Sequence, residues 1–320
     1  MDNTLKPLVS IVFTSYNHKE FLEEALNSLI NQTYSNIEII IIDDCSTDGS
    51  QEILKQYDYH SNINLKLSKQ NSGSYVKASN LGASFAKGDY LLFAQCDDFA
   101  EPNQIERLMQ PLLKYKDVGV SFCRSTLIDK DGIVIGTDFD VRESSFKKDY
   151  NSDGKIIGKI MRKFLSKSCV IPNLSAAIIR KSLYDKVGYL SPKYLVVADW
   201  AFWLALSENC NFYYTTSLLN NFRQHDTTIR STIKIKKQIV ELYEVFYHHI
   251  NQYKLVAKEK REFEIGAGLV FISYFKEGKV AWLMGFPSTL KEIRRFTKSS
   301  IWFLFLGFCY KVREYFARRF

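Results

Sequence analysis

The feature that most constrains this chain is a run of four isoleucines, Ile39-Ile40-Ile41-Ile42, which ends directly in Asp43-Asp44. A strand with one wet face alternates apolar and polar residues, whereas a run that is apolar at every position suits a parallel sheet covered on both faces. Leu8-Val9-Ser10-Ile11-Val12-Phe13 is a second β-rich run. Between the two, Phe21, Leu22, Ala25, Leu26, Leu29 and Ile30 recur at helical spacing. The unit is β-α-β, and the fold opens as an α/β sheet.

The alternation continues along the chain. Ile53, Leu54 and Tyr57 read as a helix, Leu65-Lys66-Leu67 as a strand, residues 78–85 as a helix and Tyr90-Leu91-Leu92-Phe93-Ala94 as a strand. A helix carrying Ile105, Leu108, Met109 and Leu112 starts near Pro102, a residue suited to a first turn, and Val118-Gly119-Val120-Ser121-Phe122 is the next strand. After the turn-like Asp129-Lys130-Asp131-Gly132 the pattern loosens through Lys155. Order returns with strands at Ala176-Ala177-Ile178-Ile179 and Phe212-Tyr213-Tyr214 around a helix at 200–206, and from Ile233 the chain is largely helical. A length of 320 residues accommodates one catalytic domain and an appendage. The expected division is residues 1–230, in halves 1–125 and 126–230, followed by a helical extension, 231–320.

The net charge of +8 concentrates near the end, where Lys291, Arg294, Arg295, Lys298, Lys311, Arg313, Arg318 and Arg319 face only Glu292 and Glu314. The apolar stretch 301–310 between these charges is about half the roughly 20 residues that cross a bilayer, so no span is expected. Aromatic groups beside cations suit an anionic membrane surface; packing of the same apolar side on the core is the other reading. No recognition motif accompanies the charge, so nucleic acid is not an expected partner.

Six cysteines lack a CxxC pair or zinc-like spacing. Of these, Cys45, Cys96, Cys123 and Cys309 adjoin apolar runs and are expected as buried, reduced thiols. With no signal-peptide pattern at the start, the expected location is cytoplasmic, with the tail reaching the inner face of the membrane.

Ligands of open parallel sheets bind beyond the carboxyl ends of strands, which draws attention to acids placed there. Asp43 and Asp44 follow one strand, and Asp97 and Asp98 follow another through Gln95-Cys96. Asp44 has two readings, a ligand for a base or ribose or a turn-shaping residue; Asp48 reads as a helix cap. The oxygens of Asp97 and Asp98 suit Mg2+ or Mn2+ shared with substrate phosphates. Asp199, before Trp200, is either an N-cap or a general base at a cleft. Arg223 presents a planar fork of donors suited to phosphate. His225 offers a nitrogen to a metal or a diphosphate, or serves a structural role.

Taken together, Val9-Ser10-Ile11-Val12-Phe13-Thr14-Ser15-Tyr16-Asn17, the helix that follows and Ile42-Asp43-Asp44-Cys45-Ser46-Thr47-Asp48-Gly49-Ser50 resemble the inverting glycosyltransferases of family 2 over residues 7–230. The resemblance implies a single Rossmann-like domain of the A-type nucleotide-sugar-binding fold, with a mixed, mainly parallel sheet. Residues 1–125 would be its nucleotide-binding half and 126–230 its acceptor half. It implies Thr14, Tyr16 and Asp44 around the nucleoside, and Asn71 and Lys77 on the donor side. It further implies Asp97, Asp98 and His225 at Mn2+ or Mg2+, Asp97 and Arg223 at the donor diphosphate, and Asp199 as catalytic base. Two positions depart from the family pattern: Gln95 stands where an acid is usual, and so does Ala198.

The implied activity is metal-dependent, inverting transfer of a sugar from a nucleoside-diphosphate-sugar to a hydroxyl of a saccharide or lipid-linked saccharide acceptor, in bacterial surface polysaccharide synthesis. A nucleotidyltransferase, distinguished by pyrophosphate release, is the alternative enzyme. A non-catalytic nucleotide-sugar- or carbohydrate-binding protein is the alternative that the two departures favour.

Overall fold

A computed structural model describes residues 6–141, 144–228, 232–296 and 306–310. Lys298, Lys311, Arg313, Glu314, Arg318, Arg319 and the first half of the 301–310 stretch lie outside the described residues.

Among the described residues ten strands form one sheet: β1 (Val9–Ser15), β2 (Ile37–Asp43), β3 (Ile63–Leu67), β4 (Tyr90–Gln95), β5 (Phe99–Ala100), β6 (Val118–Ile128), β7 (Val134–Thr137), β8 (Gly154–Ile156), β9 (Ala177–Arg180) and β10 (Asn211–Arg223). Their order is β3-β2-β1-β4-β9-β6-β10-β5, with β7 on β6 and β8 on β10. Strands β1 to β4 pair in parallel, β9 enters antiparallel to both β4 and β6, and β10 runs parallel to β6. Two reversals cancel, so β1, β2, β4, β6 and β10 all point the same way. The sheet is mixed and mainly parallel, as expected.

The helices are α1 (Leu22–Ile30), α2 (Ser50–Lys55), α3 (Tyr75–Ser84), α4 (Gln104–Lys114), α5 (Asp138–Val141), α6 (Ser144–Asp149), α7 (Gly158–Leu165), α8 (Lys181–Val187), α9 (Ala198–Ser207), α10 (Ile235–Gln252) and α11 (Ala257–Ile293). They cover both faces of the sheet, which is why the isoleucine run has no polar position. Ile39 and Ile41 join the core under α1 and α4, while Ile40 and Ile42 meet Ala78 of α3, and all four are wholly buried. Each buried side chain of this size contributes about 1.5–3 kcal/mol. Gly82 permits the close seat of α3, because a Cβ there would lie 2.4 Å from Val12 Cγ1.

The opposite core runs from Val12, Leu91 and Phe93 through Trp200 and Trp203 to Tyr243 and Phe246. Helix α9 is apolar on most sides, so it lies inside this core against α7 and α10. The first helix of the C-terminal extension therefore shares a core with residues 126–230. The expected strand at Ala176 begins one residue later, after a 3-10 turn at Leu174–Ala176, and α4 starts at Gln104, two residues past Pro102.

All six cysteines are free, but the expectation of burial holds only in part. Cys96 and Cys123 are buried, Cys45 is half-buried and Cys309 is exposed, since its stretch leaves one side in solvent. Among the described residues no helix is long and apolar enough to cross a membrane.

Candidate active site

Because the parallel strands share a direction, the loops after β1, β2, β4 and β10 emerge along one edge of the sheet. They surround a cavity of about 610 Å³ whose walls include Thr14, Tyr16, Asp44, Asn71, Asp97 and Asp199. This volume lies within the usual range for small-molecule sites.

At one end the β1 and β2 loops are laced together. Asn17 is in the left-handed region (φ 52°); its Oδ1 accepts the Thr47 N–H at 2.8 Å and its own N–H donates to Ser46 Oγ at 3.0 Å. Asp43 holds Ser46 in turn, accepting its N–H at 2.9 Å and its hydroxyl at 2.5 Å, and receives Gln51 Nε2 at 2.8 Å. Wholly buried, Asp43 is the turn-former of the acidic pair. Asp44 lines the cavity while accepting the Ser72 N–H (2.9 Å) and hydroxyl (2.8 Å). Asp44 thus shapes this turn from a position on the cavity wall.

Tyr16 is 43% exposed at the same wall. Asn71 lines it too, its Oδ1 accepting the Gly73 N–H at 2.5 Å in a turn where Gly73 has φ +71°. Lys77 departs from expectation. It is exposed, its ammonium donates to Ser72 O at 3.3 Å, and it does not line the cavity. Asp48 does bond the first turn of α2, taking the Ser50 N–H at 3.0 Å, although Gly49 occupies the cap position.

At the other end, Asp97 Oδ2 lies 3.1 Å from His225 Nε2. His225 Nδ1 is 2.7 Å from Thr227 Oγ1, and its ring meets His18 edge-on with centroids 5.1 Å apart. His18, which the sequence reading passes over, reaches this cluster because it follows the β1 loop. Burial holds its imidazole below the ordinary 6.5, with the Asp97 charge opposing.

Two expected ligands are placed otherwise. Asp98 is buried and faces inward: Oδ2 receives Asn173 Nδ2 at 2.5 Å and the Ser175 hydroxyl at 2.8 Å, and Oδ1 receives the Arg223 N–H at 3.1 Å. Burial, reinforced by the Asp97 charge, pushes its carboxyl well above the usual carboxylate range. Its oxygens are committed to joining β4, β9 and β10 rather than to a metal.

Arg223 is likewise inward. Its guanidinium donates to Asp97 O (3.0 Å), Asp129 O and Lys130 O (both 3.1 Å) and to the Glu24 carboxylate, and it lies 4.5 Å from the Phe21 ring centre. The fork expected on a phosphate is occupied by protein, and Arg223 braces the loop that carries Asp97.

Among the described residues no group of three or more His, Cys, Asp or Glu forms a cation cage. Asp97, on the cavity wall, and His225, 3.1 Å behind it, nonetheless bring an oxygen and a nitrogen together. That pair fits an ion such as Mn2+, which takes its remaining ligands from water and phosphate.

Asp199 lies in the first turn of α9, with Val197 rather than Asp199 in the cap position. Its Oδ1 accepts the Trp200 N–H at 2.7 Å, and its side chain lines the cavity. Ala198 is wholly buried, so an acid at that position would point into the core. Gln95 lines the wall where an acid is usual in the resembled family.

Known proteins of the same build bear on this arrangement. The chain is 33% identical over 190 residues to glycosyltransferase GlyG of Streptococcus pneumoniae, covering 58% of this chain and 60% of that protein. It is 34% identical over 128 residues to the putative teichuronic acid biosynthesis glycosyltransferase TuaG of Bacillus subtilis, covering 40% and 50%. The chain thus spans between half and two thirds of the length of these relatives. In fold it matches S. aureus TarS 1-349, solved in complex with UDP-GlcNAc, with a TM-score of 0.70 at 18% identity over 90% of this chain and 80% of that one. The profile of glycosyl transferase family 2 matches residues 10–188, more than half of the sequence, and the chain belongs to that family.

Proposed function

We propose that this protein transfers a sugar, with inversion, from a nucleoside-diphosphate-sugar to a hydroxyl of a saccharide or lipid-linked saccharide acceptor in bacterial surface polysaccharide synthesis. One observation carries the proposal: Tyr16 and Asp44, Asp97 beside His225, and Asp199 surround a single cavity at the carboxyl edge of the sheet. Family membership and the similarity to GlyG and TuaG support the reaction class.

In this reading Thr14, Tyr16 and Asp44 hold the nucleoside, with Asn71 beside them. Asp97 and His225 hold Mn2+ or Mg2+, which when bound stabilises the negative charge of the departing diphosphate. Asp199 accepts the proton of the acceptor hydroxyl as its oxygen attacks the anomeric carbon, and the carbon–oxygen bond to the diphosphate breaks on the opposite side. Asp98 and Arg223 keep the Asp97 loop in place. The basic, aromatic tail supports work at the inner face of a membrane, where lipid-linked acceptors reside.

The test is a screen of nucleotide-sugars for nucleoside diphosphate release, with and without Mn2+, in the presence of saccharide and lipid-linked acceptors. Metal-stimulated release with a glycosylated product is expected. Saturable donor binding with no turnover across the panel would point instead to a binding protein, and pyrophosphate release to a nucleotidyltransferase. Flotation with anionic vesicles, intact against tail-truncated protein, tests the membrane role; equal flotation would discard it.

A further inference from the structure

The segment that leads into Asp199 is held by the C-terminal helices. Glu241 lies on α10, is only 6% exposed, and its Oε2 accepts two consecutive backbone N–H groups, Leu195 at 3.0 Å and Val196 at 2.9 Å. Both residues line the cavity, and three positions later comes Asp199. One turn further along α10, Glu244 pairs with Lys193 of the same segment. Trp200, directly after Asp199, packs edge-on against Phe246 with ring centres 5.6 Å apart. Successive amides of irregular backbone form an anion-binding concavity, and here its occupant is the protein's own carboxylate.

The arrangement is costly as mere packing. Glu241 Oε1 is buried without a hydrogen-bond partner among the described residues, and a buried carboxylate with an idle oxygen is unfavourable unless its other bonds compensate. A leucine of similar size would fill the space at no such cost. What a leucine would not do is fix the path of residues 195–196, and with it the entry angle of α9.

We propose that Glu241 is a positioning residue: by clasping the Leu195 and Val196 amides it sets where the Asp199 carboxylate stands in the cavity. The C-terminal helices are thereby part of the catalytic apparatus. This rests on Asp199 acting as the base proposed above.

Hydrogen exchange and kinetics test it on the full chain. In the unaltered protein the Leu195 and Val196 amides should exchange slowly despite lying in a loop; fast exchange there would overturn the proposal without any variant. Glu241→Leu should speed their exchange about tenfold. It should also lower turnover about 10- to 100-fold, with donor KM held within about twofold, using UDP-GlcNAc, UDP-glucose and GDP-mannose as donor probes. Glu241→Gln keeps an acceptor oxygen and should restore both readouts. Unchanged turnover in Glu241→Leu, or equal losses in Leu and Gln with donor KM rising alongside, overturns the assignment. If the unaltered protein protects both amides yet releases nothing from any donor, the transferase reading fails and the claim on Asp199 goes with it, while the clasp itself stands.

Discussion

Asp97 and His225, separated by 128 positions, meet with 3.1 Å between Oδ2 and Nε2. Strand β4 delivers one and β10 the other, and the two strands are not neighbours in the sheet. The contact therefore depends on both loops curling toward the same rim. Asp97→Asn and His225→Ala should each weaken Mn2+-supported binding of a nucleoside diphosphate, chosen from UDP, GDP and CDP by which one the unaltered protein binds, by about tenfold or more, read by calorimetric titration with and without the metal. Equal metal dependence in the unaltered protein and both variants would remove the pair from that role.

Asp199→Asn keeps the shape of the side chain and removes its basicity. Turnover should fall by about 100- to 10,000-fold, the usual contribution of a general base, while affinity for the nucleoside diphosphate stays level. Nucleoside diphosphate release under saturating donor measures the first and calorimetry the second. An Asn variant with full turnover would show that another group takes the proton.

Arg223 is predicted to matter through stability more than through direct donor contact. Arg223→Ala strips bonds from the carbonyls of Asp97, Asp129 and Lys130 and should cost about 3 kcal/mol, measured as a lower urea midpoint without ligand. Arg223→Lys should recover little, since an ammonium cannot reach that spread of acceptors. If stability is untouched and only donor binding suffers, the guanidinium serves phosphate after all.

Much of this was legible in the residues, for a definable reason. Where a physical pattern is local, as in the isoleucine run or the acids at strand ends, spacing alone reports the sheet and the edge that carries the site. Direction of side chains is not local. Asp97 and Asp98 are adjacent and chemically alike, yet one faces the cavity and the other bonds to Asn173, Ser175 and Arg223. Asn173 precedes and Ser175 lies in a short 3-10 segment that no periodicity marks. The planar fork of Arg223 suits a phosphate on chemistry alone, and the same fork suits three carbonyls. No local pattern marks His18 or Glu241, because their partners lie far along the chain.

Acid should loosen the seam between the catalytic region and the C-terminal helices. Arg162 Nη1 grips both oxygens of Glu208 at 2.7 and 2.8 Å and its Nη2 pairs with Glu259, while His249 Nε2 lies 2.9 Å from Glu208 Oε1. Burial holds His249 below 6.5 despite the neighbouring carboxylate. For Glu208 burial acts upward, but the bonds from His249 and Arg162 together leave it below 4.5. In both cases the unfolded chain binds more protons, so stability rises with pH. It should be complete above 6.5 and decline as pH falls through and below that value. Urea midpoints between about pH 7.5 and about pH 5 should fall, and His249→Gln should flatten part of the slope; an unaltered slope would show that other groups set it.

Strand β9 enters reversed between β4 and β6 and is hydrogen-bonded to both. It works as a weld. Bending the two sides of the cleft apart would mean tearing a ladder at the centre of the molecule, so a hinge between them is not an available route for exchange of ligands.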